Sequence, residues 1–111
     1  MQITIKRTGS TLHAALSGEL DHHSAADVRR ELDAALGKGV RELALDLSDI
    51  SFMDSSGIGV ILGRYKAIRE RGGKMSISVM SIYAARILKM SGVLALLNGE
   101  VRQEDGKRGR T

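Results

Sequence analysis

No cysteine, proline or tryptophan occurs anywhere in this sequence, and its aromatic residues amount to one Phe and two Tyr. Without cysteine there is no disulfide framework, no thiolate metal site and no cysteine nucleophile. With so few rings, an aromatic platform for stacking single-stranded nucleic acid cannot be assembled. The core must therefore be built from Leu, Ile, Val, Ala and Met. No apolar run approaches the roughly 20 residues that a membrane-spanning helix needs. The opening residues Met1-Gln2-Ile3-Thr4-Ile5-Lys6 lack the basic flank and long apolar stretch of a secretory signal. Together these absences predict a cytoplasmic protein that does not associate with membranes.

What remains is an ordinary globular composition. The chain has 111 residues, of which 42% are hydrophobic, enough for one compact domain with a real core. The formal net charge is +4. The densest basic stretch carries Arg64, Lys66, Arg69, Arg71 and Lys74, and Lys107-Arg108-Gly109-Arg110 forms a second cluster. Basicity of this kind can mark nucleic-acid binding. With no recognition motif and so few aromatics, it reads instead as a solvated helix face followed by a disordered tail.

The hydrophobic pattern alternates between two periods. Ile3 and Ile5, then Leu12, Ala14 and Leu16, alternate with polar neighbours around Thr8-Gly9-Ser10, predicting a β-hairpin. Gly18-Glu19-Leu20-Asp21-His22-His23 reads as a polar loop, with Asp21 and Ser24 both suited to cap a helix. Ala25, Val28, Leu32 and Ala35 or Leu36 follow at helical spacing, and Gly37 and Gly39 end that helix. Leu43, Leu45 and Leu47 predict a buried strand, and Ser48 to Asp54 a short loop. Ile58, Ile61, Leu62, Tyr65 and Ile68 form the apolar face of a second helix ending at Gly72-Gly73. Met75, Ile77 and Val79 predict another strand, and Tyr83, Ile87, Leu88 and Met90 a third helix. Val93 to Leu97 is either a strand or a further helix. Residues 98–111 are polar and are expected to be disordered. Strands interleaved with helices predict an α/β fold with helices packed against one sheet.

The chemistry concentrates in Phe52-Met53-Asp54-Ser55-Ser56-Gly57-Ile58-Gly59-Val60-Ile61-Leu62-Gly63-Arg64-Tyr65-Lys66. Asp-Ser-Ser-Gly lies where a strand gives way to a helix. Ser55 or Ser56 can accept a backbone N–H of the first turn. Gly57 and Gly59 leave the surface bare for the close approach of another molecule. Free N–H groups and the helix dipole also make this a tolerant place for a phosphoserine. By its physics alone, the segment reads first as an ordinary capped helix with small residues for packing, and a phosphorylatable switch is the sharper reading. Enzyme motifs do not fit: neither serine lies in Gly-x-Ser-x-Gly. No Gly-Lys-Ser/Thr follows the glycines, and Leu62 stands where a dinucleotide fingerprint needs glycine. The adjacent His22-His23 has only His13 as a possible companion, so surface recognition or helix capping is expected there rather than metal binding.

The Gly18-to-His23 and Phe52-to-Lys66 segments resemble the anti-sigma factor antagonists of the STAS domain family. Gly72-Gly73-Lys74-Met75 and Lys89-Met90-Ser91-Gly92-Val93 fit the same pattern, so the resemblance spans residues 1–97 as one domain. It implies a four- or five-stranded mixed sheet covered on one side by helices. It also implies partner switching without catalysis or cofactor. The unphosphorylated protein binds an anti-sigma factor that is itself a serine kinase and releases a sigma factor, expected to be the sporulation factor sigma F. The kinase then phosphorylates the first serine of the motif, Ser55, and a PP2C-type phosphatase resets it. The resemblance places Asp21 near Ser55 on the kinase-binding surface, completed by Ser56, Gly57, Ile58 and Gly59, with Asp54 shaping the phosphorylation site. Antagonism of a stress-response sigma factor is the alternative within the family; a nucleotide-binding or weakly NTP-hydrolysing domain is the alternative outside it. The chain departs from the family pattern at Ile82, where relatives carry proline, and in its short polar end.

Overall fold

A computed structural model describes residues 1–97. The readings made for residues 98–111, the disordered tail and its basic cluster, lie outside the described residues. Eight elements follow one another: β1 (Gln2–Thr8), β2 (Thr11–Leu20), α1 (Ala25–Leu36), β3 (Glu42–Met53), α2 (Ser55–Glu70), β4 (Lys74–Met80), α3 (Ile82–Met90) and α4 (Val93–Leu97). The strands form one four-stranded sheet in the order β1-β2-β3-β4. β1 pairs antiparallel with β2, and the other two pairings are parallel, so the sheet is mixed. The expected α/β class and mixed sheet are what the chain adopts.

Each element follows from its residues. Gly9, with φ +60, sits at the first position of a two-residue turn, where a hairpin requires a left-handed residue. Parallel pairing of β2, β3 and β4 needs crossovers, and α1 and α2 supply them. Leu12, Ala14 and Leu16 on β2 and Leu43, Leu45 and Leu47 on β3 are buried, whereas His13 and the intervening Ala44 and Asp46 are not. One face of the sheet thus carries the core, and helices cover it through Val28, Leu32 and Leu36 of α1, Val60, Ile61 and Ile68 of α2, and Leu88 of α3. Burying each such leucine or isoleucine contributes about 1.5–3 kcal/mol.

Several expectations need correction. Gly18-Glu19-Leu20 is the end of β2 rather than loop, and Leu20 is fully buried. Ser48 to Met53 likewise continues β3, with Ile50 and Met53 in the core. The reason is a pair of register shifts, between Ala15 and Ser17 and between Gly18 and Glu19. Such irregularities reset the alternation, so Leu47, Ile50 and Met53 point inward at a spacing that does not read as a strand. On α2, Ile61 and Ile68 are buried as expected and Val60 and Arg64 are buried with them, whereas Ile58, Leu62 and Tyr65 are only partly covered. On α3, Ala84 and Leu88 face the core, whereas Tyr83 and Met90 are exposed. Residues 93–97 are helical. At Ile82, α3 begins without proline because the Ser81 hydroxyl accepts the Ala84 N–H at 3.1 Å.

The basic stretch is also not simply a solvated face. Arg64 is buried between α2 and α1, with Nε 3.0 Å from Asp33 Oδ1. The contact is an ion pair rather than an aligned hydrogen bond, and among the described residues Nη1 has no hydrogen-bond partner. Arg71 donates to the Gly37 carbonyl at 2.8 Å and reaches that of Leu36 at 3.3 Å. α1 has no basic residue in its last turn, so the free carbonyls there are satisfied from the end of α2.

Candidate functional site

The carboxyl end of β3 passes directly into α2, and the cap at this junction is Asp54, not Ser55 or Ser56. Asp54 is extended (φ −121°, ψ −169°), and its Oδ1 accepts the Ser56 N–H at 2.8 Å. Its backbone oxygen accepts from Gly57 at 3.0 Å and Ile58 at 3.3 Å, starting the helix. Because a carboxylate does the capping, Ser55 occupies the first helical position as an exposed residue. Its side chain stands at the positive end of the helix dipole.

Asp54 also ties this junction to the β2–α1 loop. Its Oδ2 accepts the His22 N–H at 3.2 Å, and its own N–H points to the Leu20 carbonyl at 3.4 Å. The loop is built around Asp21 and Ser24. Asp21 Oδ1 accepts the N–H groups of His23 at 2.9 Å and Ser24 at 3.1 Å. The Ser24 hydroxyl donates to the Glu19 carbonyl at 2.7 Å. Ser24 therefore precedes α1 without capping it through its side chain; both candidate caps organise the loop instead. Desolvation raises the Asp21 pKa, but the backbone donations from Ser24 and His23, the Ser24 hydroxyl and the nearby His23 outweigh it, so the carboxyl lies below the ordinary range.

The fold thus brings the Asp21 loop and the Asp54–Ser55 junction together, joined by the His22–Asp54 hydrogen bond. Ser56 and Ile58 are half-buried beside them and Gly59 is exposed. Gly57 differs from its expected role. It is buried, and a Cβ there would come within 2.8 Å of both the Leu20 carbonyl and Met53 Cγ. It lets α2 approach the sheet rather than letting a partner approach α2. At Gly59 and Gly63 an added Cβ would meet nothing within 4 Å. The packing reading of the small residues thus applies to Gly57 and not to these two.

Two hollows flank the junction. One, of about 450 Å³, runs between α1 and α2 and includes His22, Ala25, Ala26 and Arg29 on one side and Ser56 and Gly59 on the other. The second, of about 780 Å³, lies beyond the Asp21 loop and carries the carboxylates of Glu19, Asp21, Asp27 and Glu31 together with Arg30, which pairs with Asp27. Arg29, Asp27 and Glu31 escaped the sequence reading, because only the packing of α1 on the sheet and against α2 brings them beside the site. His22 and His23 meet edge to face with ring centroids 5.5 Å apart. Among the described residues, no group of three or more His, Cys, Asp or Glu is placed to hold a metal ion, and no helix is long and apolar enough to cross a membrane.

The sequence and the fold have counterparts among known proteins. The sequence signature of the STAS domain matches residues 2–104. The anti-sigma F factor antagonist of Paenibacillus polymyxa is 42% identical over 98 residues, covering 87% of this chain and 84% of that protein. The anti-sigma-B factor antagonist of Bacillus subtilis is 26% identical over 106 residues, covering 96% of each. Among solved structures, the anti-sigma factor antagonist SpoIIAA in its unphosphorylated form superposes with a TM-score of 0.74 at 28% identity, covering 96% of this chain and 89% of that one. The phosphorylated form of the Bacillus cell fate determinant SpoIIAA gives 0.68 at the same identity, covering 96% and 92%. Signature, relatives and fold agree: the chain belongs to the STAS domain family.

Proposed function

We propose that this protein is an anti-sigma factor antagonist, a regulator rather than an enzyme, whose partner binding is switched by phosphorylation of Ser55. The observation that carries the reading is the capping of α2 by Asp54, which leaves Ser55 exposed in the first turn. A helix N-terminus stabilises an anion by about 0.3–1 kcal/mol when exposed, so a phosphate there does not melt α2. The same phosphate adds about −1.5 to −2 charges to a rim that already holds Asp21 and Asp54. A partner docking on this rim meets a changed potential and an occupied surface, and it dissociates.

In this reading the unphosphorylated form binds an anti-sigma factor serine kinase through Asp21, Asp54, Ser56, Ile58 and Gly59, and the sigma factor is released. Gly57 belongs to the site by letting α2 seat against Leu20. The kinase transfers the γ-phosphoryl of ATP to Ser55 Oγ, the hydroxyl proton leaves, and ADP departs. A PP2C-type phosphatase returns the protein to its binding form. The greater likeness to an anti-sigma F factor antagonist than to an anti-sigma-B factor antagonist favours the sporulation factor sigma F over a stress-response factor. A cytoplasmic location follows from such partners. Nucleotide binding by the chain itself is the weaker reading, because no phosphate-loop lysine follows the glycines.

The test is intact mass after incubation with an anti-sigma factor kinase and ATP. Wild type gains one phosphate and Ser55→Ala gains none. An unmodified wild type, with a kinase shown to be active and to bind it, overturns the switch; phosphate on the variant moves it to another residue.

A further inference from the structure

The hollow of about 450 Å³ between α1 and α2 begins at the residue after Ser55. Its lining includes two basic side chains, His22 and Arg29, both exposed, and no carboxylate. The arginines nearby are engaged: Arg30 pairs with Asp27, and Arg64 pairs with Asp33, one turn along α1 from Arg29. Among the described residues, Arg29 makes no such ion pair and no side-chain hydrogen bond. Ala25, Ala26 and Gly59 keep the walls low, and a Cβ on Gly59 would meet nothing within 4 Å. Ser55 stands at the rim of this hollow. Gly59 lies one turn along the same helix face, and the Cα atoms of Ser55 and Ser56 are about 3.8 Å apart. Helical Cβ atoms tilt toward the N-terminus. The Ser55 hydroxyl is thus carried toward the junction where Asp54 accepts the His22 N–H at 3.2 Å.

From this arrangement we infer that Arg29, with His22, forms a receiving site for the phosphate on Ser55, so that the phosphorylated chain folds its new charge into the hollow between α1 and α2. The inference rests on the phosphorylation proposed above and names the residues that hold its product. A phosphate beside an unengaged guanidinium gains charge-assisted contacts of bidentate geometry, and the His22 ring offers a further N–H donor. The carboxylates of the junction turn the phosphate the same way. Asp54 and Asp21 already accept backbone N–H groups and repel a second anion, so the direction away from them, along α2 toward Gly59, is the favourable one. One guanidinium charge against about −1.5 to −2 charges leaves the site more negative than before phosphorylation. The switch keeps its electrostatic effect and gains a steric one, because the phosphate fills a hollow that the unphosphorylated chain leaves open.

The experiment uses the full chain phosphorylated on Ser55 by an anti-sigma factor kinase and ATP, with the added phosphate confirmed by intact mass. Phosphorus NMR follows the second ionisation of the phosphoserine, which lies at about 6 without a partner. A nearby cation favours the dianion and lowers this value. Expected is a rise of about half a pH unit or more in Arg29→Gln relative to wild type, a smaller rise in Arg29→Lys, and none in Lys6→Gln, which removes one charge from the helix-free face of the sheet. An identical titration in wild type and Arg29→Gln overturns the inference. An equal rise in Lys6→Gln also overturns it, because the phosphate then reports net charge alone. Wild type gives a second readout that needs no variant: on phosphorylation the Arg29 Nε–H resonance shifts downfield, whereas that of Arg30 stays in place. An Arg29 signal that does not move overturns the inference as well. A wild type that never accepts phosphate on Ser55 removes the proposed function, and this inference with it.

Discussion

The two ends of the sheet are closed by opposite chemistry. At the carboxyl ends of β2 and β3, carboxylates accept backbone N–H groups: Asp54 from Ser56 and His22, and Asp21 from His23 and Ser24. At the opposite end, guanidinium groups donate to backbone carbonyls: Arg71 to Gly37, and Arg7 to Gly9 and Lys38 at 2.9 and 3.0 Å. Parallel β–α–β crossovers put the N-termini of α1 and α2 at one end and their C-termini at the other. The helix termini gathered at each end therefore offer one kind of unpaired backbone group, N–H at the site end and C=O at the other, and nearby side chains satisfy them. The lesson is that Arg7 and Arg71 close loops at the end away from Ser55. Asp21 and Asp54 close loops at the site and place two carboxylates beside Ser55.

The sharpest way to break the site end is Gly57→Ala. A Cβ within 2.8 Å of the Leu20 carbonyl forces α2 outward, at an expected cost of about 1–3 kcal/mol. Chemical denaturation measures the loss, and Ser55 phosphorylation by the kinase is expected to fall more than the loss of folded protein accounts for.

Next in size is a paired test of the two ends. Arg71→Ala removes a charged donor from the C-terminus of α1 and is expected to cost about 1.5–3 kcal/mol, with the rate of Ser55 phosphorylation unchanged once the protein is folded. Asp54→Ala removes the α2 cap and the link to His22. Its expected cost is about 0.5–2 kcal/mol, but with a marked loss of phosphorylation. Equal effects of the two on stability and phosphorylation would erase the distinction between the ends.

The smallest expected effect is in pH. The Asp21 carboxyl is held below its ordinary value by the net effect of its donors. Its contribution is therefore complete above the unfolded value of about 3.9 and is lost as pH falls through the lower folded value. The Asp21 side-chain carboxyl resonance should change only as pH falls below the ordinary carboxylate range, and the Ser24 amide should share that acidic transition. Asp21→Asn should abolish that transition. The Gly37 and Val40 region, at the opposite end of the sheet, should show no matching change.

The legibility of this chain follows the same division. Leu43, Leu45 and Leu47 announced β3, and Val28, Leu32 and Leu36 announced α1, because each pattern is complete within one element. The Asp-Ser-Ser-Gly motif located the start of α2 to the residue. Which of its side chains caps the helix was not legible, since Asp54 and the two serines are all good caps. The ends of β2 and β3 were read as loops because irregular pairing broke their alternation. Arg64 read as solvated because its helix position alone does not tell that α1 crosses above it, and Gly57 read as exposed because the sequence does not show Leu20 beneath it.

The sequence by itself determined the alternation of strands and helices, the family resemblance and the place of Ser55 at a helix start. Propensity, period and capping residues act over a few positions of the chain, so they are written locally. The tertiary structure alone decided that Asp54 reaches His22, 32 positions away, and that Arg71 reaches Gly37, 34 positions away. It also gathered Phe52 and Met53 of β3 with Tyr83, Ile87 and Met90 of α3 around one groove. Those contacts exist only once the sheet has paired and the helices have packed on it, because their energies depend on the distances that packing fixes.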